Sequence, residues 1–427
     1  MVPTISAIFF LSVLIGMPIA FGMGIAGAIW ILFVEGLDPG LLARRMANAM
    51  QTFALVSIPL FIVIGDLAER AGLLPELVRW LQMLLGRAKG GMAYLNVVNS
   101  MLFAGISGTA VSDVASLGRI EIKLMEEAGY SRAHSAALTA ATSICGPIIP
   151  PSVAMIIYAL AAGNVSIGGL FLAGAIPGFL LGAGMLVMSW WHARQGRYGV
   201  LRDRPPLRDL LWQTARVVPL MILPLIILGG ILTGVFTVTE SAAIGVVYVL
   251  IIGFFYTRQL SLRDIYDAIV YSAVISSVLG MLIGSGVIIG WILTRNQVSQ
   301  QLADWLMSQS ASPIVFMLLV AGLLFVLGMV MDATAIIIML TPLLTPIAAK
   351  FGIPDLQFGV VFVLTCMLGL ITPPVGVILF MLCAIADLPL HVLSREVIPY
   401  VIWILMLIVL IIFFPSLTLF LPTLLRF

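Results

Sequence analysis

Charged side chains are scarce in this sequence. Aspartate, glutamate, lysine and arginine make up 9% of its 427 residues, against roughly a quarter in a soluble globular chain. The deficit excludes water as the main solvent. The formal net charge is only +2, and the basic residues are spread through loops, which excludes nucleic acid as a partner. There are three cysteines and three histidines. Cys145, Cys366 and Cys383 sit inside apolar segments without metal-ligand spacing, so they read as small core residues, and neither zinc nor disulfides are implied. A charged n-region is missing too: the first basic residues are Arg44 and Arg45. The N-terminus therefore reads as a retained membrane segment and not as a cleaved signal.

What the chain has in abundance is apolar length. Hydrophobic residues make up 62% of it, and stretches of the roughly 20 apolar residues that cross a bilayer recur from Ile5 to Leu421. The run from Ile5 to Val34 is too long for one perpendicular span. With Gly16, Pro18 and Gly22 inside it, the run reads equally as one kinked helix or two short spans. Leu73 to Gly90, with Leu77, Trp80, Leu81 and Leu84 at helical spacing, reads as an amphipathic helix at the interface. Leu41 to Met50, with Arg44 and Arg45, reads as another such helix or as a polar loop.

The most basic stretch, His192 to Arg216, belongs in the cytoplasm by the positive-inside rule. It bisects the chain, which invites a search for repeats. An offset of 223 aligns Pro150-Pro151 with Pro373-Pro374, Gly105 with Gly328 and Gly129 with Gly352 without a gap. At an offset of 225, Gly65 meets Gly290, Arg70 meets Arg295 and Trp80 meets Trp305. The halves read as homologous: repeat 1 over residues 1–196, a cytoplasmic basic linker over 197–208 and repeat 2 over 209–427. With about five transmembrane helices plus a re-entrant hairpin in each, the odd span count makes the second repeat inverted.

Each half carries two interruptions. In the first half, small polar residues break an apolar stretch at Ala104 to Asp113, which gives a re-entrant hairpin over about 92–127. A double proline then breaks a helix over about 132–163. The counterparts in the second half are a hairpin over about 312–350 and a broken helix over about 356–386. Proline lacks an amide proton and pushes its predecessor out of helical geometry, so the carbonyls of Gly146 and Gly369 lose their helical donors. Bare carbonyls at membrane depth need protein groups, water or an ion. Hydroxyl and carbonyl oxygens suit a hard cation such as sodium. Ser107 and Thr109 with the Gly146 to Pro151 carbonyls make one cage; the Gly328 to Asp332 turn with Gly369, Thr372 and Pro374 makes its mate. The bland alternative is two proline-kinked buried helices.

Taken together, Gly16-Met-Pro18-Ile-Ala-Phe, Ser57 to Gly65, Gly105 to Thr109, Gly146 to Pro151, Thr237-Val-Thr-Glu240 and Gly369 to Pro374 resemble the large membrane subunit of tripartite ATP-independent periplasmic (TRAP) transporters. The resemblance spans nearly the whole chain and places it in the wider ion-transporter superfamily. It implies an all-α, elevator-type secondary carrier of the bacterial inner membrane, not an enzyme. Such a carrier imports a small organic acid with sodium, is served by a periplasmic solute-binding protein and is completed by a small four-helix membrane subunit, here a separate chain. Sodium ions are the only cofactor implied. The family's ligands map onto Ser107, Thr109, Gly146, Ile149 and Pro151 for one ion, and onto Gly328, Asp332, Gly369, Thr372 and Pro374 for the other. Substrate contacts map onto Arg295 and Asp332. Arg295 reads alternatively as a snorkelling helix-end residue, and Asp66 and Glu240 read as helix-end or capping residues. Two other readings stand beside this one: a self-sufficient sodium- or proton-coupled carboxylate carrier or antiporter, and an intramembrane serine protease built on Gly105-Ile-Ser107-Gly108.

Overall fold

The computed structural model describes residues 7–9, 11–12, 15–196, 206–308 and 312–427, and every regular element in them is helical. Residues 197–205, most of the expected basic linker with Arg197, Arg202 and Arg204, lie outside the described residues. In the first half the helices are α1 (Ile19–Ile29, continued to Val34 by a wider π turn), α2 (Pro39–Met50), α3 (Ser57–Arg70), α4 (Leu73–Leu85), α5 (Gly91–Ser107), α6 (Ala110–Glu127), α7 (Arg132–Ser143), α8 (Val153–Ala162) and α9 (Ile167–Gln195). In the second half they are α10 (Leu207–Leu232), α11 (Val238–Ile251), α12 (Leu262–Arg295), α13 (Val298–Ser308), α14 (Pro313–Gly328), α15 (Ala333–Lys350), α16 (Asp355–Gly369), α17 (Val377–Ala386), α18 (Leu390–Phe413) and α19 (Ser416–Leu424).

The repeat is visible in where helices start and stop. α6 and α15 are offset by 223 residues at both ends, α7 and α16 share that offset at their starts, and so do α9 and α18. After the proline breaks the offset becomes 224 for both ends of α8 and α17; the starts of α4 and α13 keep the offset of 225. Pro177 and Pro399 sit inside α9 and α18 as a further matched pair.

Six helices among the described residues are long and apolar enough to cross a membrane, and a seventh span results if α2 and α3, bent by 57°, count as one. The N-terminal run is interrupted at Gly16 to Pro18, where Gly16 has φ +88, so α1 starts afresh. α4 forms as its periodicity predicts and buries Leu73, Leu74, Leu77, Val78 and Leu81. α2 is a helix with no buried residue, capped by Asp38. That outcome settles the choice between helix and loop in favour of a surface helix.

α8 and α17 have 10 residues each, about 15 Å of helix, which is half of a ~30 Å hydrocarbon core. Such half-helices cannot stand in lipid alone, and here each repeat shelters the other's. α15 of the second hairpin packs on α8, and α6 of the first packs on α17. Tyr158 on α8, fully buried, lies within hydrogen-bond distance (3.4 Å) of Thr345 on α15. The hairpin tips are thereby brought to the breaks.

Candidate functional site

Both hairpin tips are made by the same local chemistry. α5 stops at Ser107 because Gly108 turns left-handed, with φ +62. Thr109 is extended, and its hydroxyl accepts from the Ser112 N–H at 3.3 Å, so it caps α6. In the second hairpin Asp332 is extended, and its Oδ2 accepts from the N–H groups of Thr334 (2.9 Å) and Ala335 (3.2 Å), so it caps α15. Thr109 and Asp332 are thus equivalent N-caps, each a residue type that satisfies the free amides of a first turn.

Each tip is fastened to a break. The Val153 N–H donates to the Gly108 carbonyl at 3.3 Å, and the Val375 N–H donates to the Met329 carbonyl at 3.1 Å. The contacts are close enough to demand glycine. A Cβ on Gly108 would lie 2.6 Å from the Pro151 oxygen, one on Gly146 2.9 Å from the Thr109 carbonyl, and one on Gly369 2.4 Å from the Gly328 carbonyl. Ser107, Thr109, Gly146 and Pro151 therefore meet at the first tip, with Ile149 packed under Gly178 of α9. Gly328 and Gly369 meet at the second.

Some expected vacancies at the breaks are filled. The Gly369 carbonyl, expected to lose its donor, accepts from the Thr372 N–H at 3.1 Å because the chain tightens by one residue before the prolines. The hydroxyls of Thr372 and Ser152 donate to the carbonyls of Leu368 (2.7 Å) and Pro147 (2.6 Å). A hydroxyl that donates keeps its lone pairs, so Thr372 and, likewise, Ser107, which donates to the Thr109 carbonyl at 3.5 Å, retain the capacity to bind a cation. Asp332 is exposed, and Pro374 lies at the exposed rim.

The two tips and breaks line one cavity of about 390 Å³, which holds Ser107, Thr109 and Ser112 from the first hairpin, Asp332 and Thr334 from the second, and Pro147, Met367 and Leu370 from the breaks. Its other wall is α3, with Gly65, Asp66 and Glu69, and Tyr271, Ile275 and Leu279 of α12. Three carboxylates and no arginine, lysine or histidine line it among the described residues. Asp66 is bonded by Arg70 at 2.6 Å, and Glu69 accepts from Ser116. Asp66, read from sequence as a helix end, is thus also a cavity residue. Glu240 is a capping residue as read: its carboxylate accepts from the Thr237 N–H and hydroxyl in a capping box.

The structure does not bring Arg295 to this cavity. It lies sixteen residues beyond Leu279 on α12, roughly 24 Å along the axis, and its Nε is 2.7 Å from Glu35. The Asn296 amide, the Trp30 indole and Arg295 together hold the Glu35 carboxyl below its ordinary range.

Sequence reasoning missed a polar cluster behind the cavity. Asn96 and Ser100 of α5, Asp113 of α6, and Thr139 and Thr142 of α7 are all buried and joined by hydrogen bonds, and beside them Asn99 of α5 and Glu121 of α6 form a second buried, hydrogen-bonded pair. The signal was available: Asn96, Asn99 and Ser100 share one helix face in an apolar stretch.

Residues 6–417 match the family described as "Tripartite ATP-independent periplasmic transporter, DctM component". The chain is 34% identical over 409 residues to the sialic acid TRAP transporter large permease protein SiaM of Vibrio cholerae, covering 96% of this chain and 95% of that one. It is 33% identical to the C4-dicarboxylate TRAP transporter large permease protein DctM of Pseudomonas aeruginosa, covering 94% and 93%. It is 32% identical to the 2,3-diketo-L-gulonate TRAP transporter large permease protein YiaN of Escherichia coli, covering 94% of each. Among solved structures, the Alcanivorax borkumensis YdaH transporter shares the fold, with a TM-score of 0.62, 14% identity and coverage of 88% and 87%. The relatives are permeases, which sets aside the protease reading of Ser107. The chain belongs to the DctM component family of tripartite ATP-independent periplasmic transporters and is a multi-pass membrane protein of solute transport.

Proposed function

We propose that this chain imports a small organic acid across the bacterial inner membrane, driven by sodium, as the transport subunit of a binding-protein-dependent tripartite system. A periplasmic solute-binding protein would deliver the acid, and a small four-helix membrane subunit would complete the complex. The observation that carries the reading is the convergence of both hairpin tips and both proline breaks on one cavity lined by carboxylates and by no basic residue. With Asp66 paired to Arg70, an organic anion entering such a cavity still meets the carboxylates of Glu69 and Asp332, which disfavour it by Coulomb repulsion in a low-dielectric site. Cations bound first reverse that balance. One sodium would be held by Ser107, Thr109, Gly146, Ile149 and Pro151, and the other by Gly328, Asp332, Gly369, Thr372 and Pro374.

The repeat supports an elevator-type inverted arrangement, in which Arg295 would meet the substrate. The cavity now lies against Gly65, Asp66 and Glu69, next to Arg70 on α3. The residues at repeat-equivalent positions are Gly290, Trp291, Thr294 and Arg295. Exchanging the roles of the two repeats yields the opposite-facing state, in which the hairpins and breaks lie against Arg295. There a substrate carboxylate takes the place of Glu35 on its guanidinium, while Asp332 stays at the cavity.

The test is uptake into proteoliposomes by the chain with its small subunit and binding protein, offering sialate, a C4-dicarboxylate and 2,3-diketo-L-gulonate as labelled acids. Uptake of one of these under an inward sodium gradient and not under potassium is expected. Equal uptake in both gradients would overturn sodium coupling, and full uptake without binding protein would overturn the tripartite role.

A further inference from the structure

The cluster behind the first hairpin has a shortage of hydrogens. Asp113 and Glu121 are 1% and 0% exposed. The Ser100 hydroxyl donates to Asp113 Oδ2 at 3.0 Å, and Asn99 Nδ2 donates to Glu121 Oε1 at 2.7 Å. Three buried atoms then lack a partner among the described residues: Asp113 Oδ1, Glu121 Oε2 and Asn99 Oδ1. All three are acceptors. No ion pair reaches either carboxyl among the described residues. Two ionised carboxylates buried without a counter-charge are strongly disfavoured, and such groups are neutralised or paired.

The unpartnered amide oxygen belongs to the same side chain whose Nδ2 already holds Glu121. A hydrogen on Glu121 Oε2 supplies the donor that Asn99 Oδ1 lacks, completing a paired acid-to-amide ring. We propose that this cluster is a proton-binding site, with Glu121 held as the neutral acid, donating through Oε2 to Asn99 Oδ1, and with Asp113 as the second carboxyl whose charge bears on it. The ligand is a proton and not a metal ion: Asn99 Nδ2 and the Ser100 hydroxyl already direct donors at one oxygen of each carboxyl, and the two carboxyl oxygens left over, Asp113 Oδ1 and Glu121 Oε2, belong to residues eight apart on α6, about 12 Å along its axis, too far to share one ion's oxygen shell.

The titratable groups on the elements packed against α6 are few. α5 carries Tyr94, α7 carries Arg132 and His134, α17 carries Cys383, and Cys145 in the first break lies beside Asp113. Arg132 is bonded to Glu126, and His134 stacks on His192 at 3.9 Å. On the opposite side of α6 Glu69 meets Ser116, and Arg119, Lys123, Glu126 and Glu127 lie on α6 itself. The cluster ties α5, α6 and α7 together, so its protonation state bears on the hairpin that carries Ser107 and Thr109.

The test needs neither substrate nor a sodium gradient, so it stands or falls apart from the transport reading. Infrared spectra of the purified full chain at neutral pH, in potassium, in H₂O and D₂O, are expected to show the carbonyl band of a protonated carboxyl that Glu121→Gln removes. Glu121→Gln keeps the neutral shape and is expected to leave the melting temperature unchanged. Asn99→Ala provides the second handle, shifting the band and not abolishing it. Absence of an acid band attributable to Glu121 would overturn the proposal. So would a Glu121→Gln chain that loses the wild type's sodium-specific stabilisation, since the site would then hold a metal cation.

Discussion

Gly369→Ala tests the join between the second hairpin and the second break. The added Cβ would stand 2.4 Å from the Gly328 carbonyl carbon and oxygen and 2.5 Å from its Cα, where ordinary contact begins at 3.4 Å. All three atoms are backbone, so no side chain can swing aside, and hairpin and break must separate by about 1 Å. Overpacking of this kind costs about 1–3 kcal/mol. The functional effect is larger than the stability effect. Oxygen shells around a cation of calcium's size lie at about 2.3–2.6 Å, and sodium is of similar radius, so a shift of that size removes Gly328 or Gly369 from the shell. Thermal unfolding in detergent, in sodium and in potassium, measures both. Gly322→Ala on α14 is the control, because nothing lies within 4 Å of its Cβ position; a helical Gly→Ala there is neutral or stabilising by up to about 1 kcal/mol. The expected result is a lower melting temperature and a reduced sodium-specific shift for Gly369→Ala only. A full sodium shift in Gly369→Ala would refute the assignment of the second site to this join.

Three further outcomes are expected. Asp332→Asn keeps a capping oxygen while Asp332→Ala removes it, so the alanine variant alone loses about 0.5–2 kcal/mol of stability, whereas both lose sodium-driven uptake; retained uptake in Asp332→Asn would reduce Asp332 to a cap. Thr109→Ala, by the same capping argument, lowers the melting point and removes the first ion's contribution to the sodium shift, which a titration of melting temperature against sodium checks. Glu35→Gln weakens the contact with half-exposed Arg295 by up to about 1 kcal/mol. The folded-state pKa of Glu35 is depressed, so its contribution is complete above the unfolded carboxylate range and fades as pH falls through the folded value. The stability gap between Glu35→Gln and wild type is therefore expected at neutral pH and should close in acid.

Much of the fold could be read from the sequence because its strongest features are punctuation. The paired double prolines and glycines sit at positions where helices must stop, and stop positions survive divergence of the apolar residues between them; the bounds of α6 and α15 show this directly. The equivalence of Thr109 and Asp332 followed from the offset, but their shared role as N-caps did not, because capping depends on backbone angles at the tip. What stayed hidden depended on which way a polar side chain points. Asp113 sits one residue after Ser112, which lines the cavity, yet it faces the buried side with Glu121. Asp66 and Arg70 look like a helix end in sequence, and they are one, but the packing of α3 on the first hairpin makes that end a wall of the cavity. The family resemblance assigns Arg295 to the site; its distance from the cavity comes from the continuity of α12, which no local pattern reveals.

Sodium binding at the paired breaks is tested by thermal unfolding of the purified chain in sodium, potassium and choline at matched ionic strength. A site filled at ~100 times its dissociation constant stabilises the native state by about 2.7 kcal/mol. The melting temperature is expected to rise in sodium alone, and by less in Thr109→Ala and in Gly369→Ala. Identical melting in all three salts would contradict sodium binding and leave the paired breaks as proline kinks without an ion.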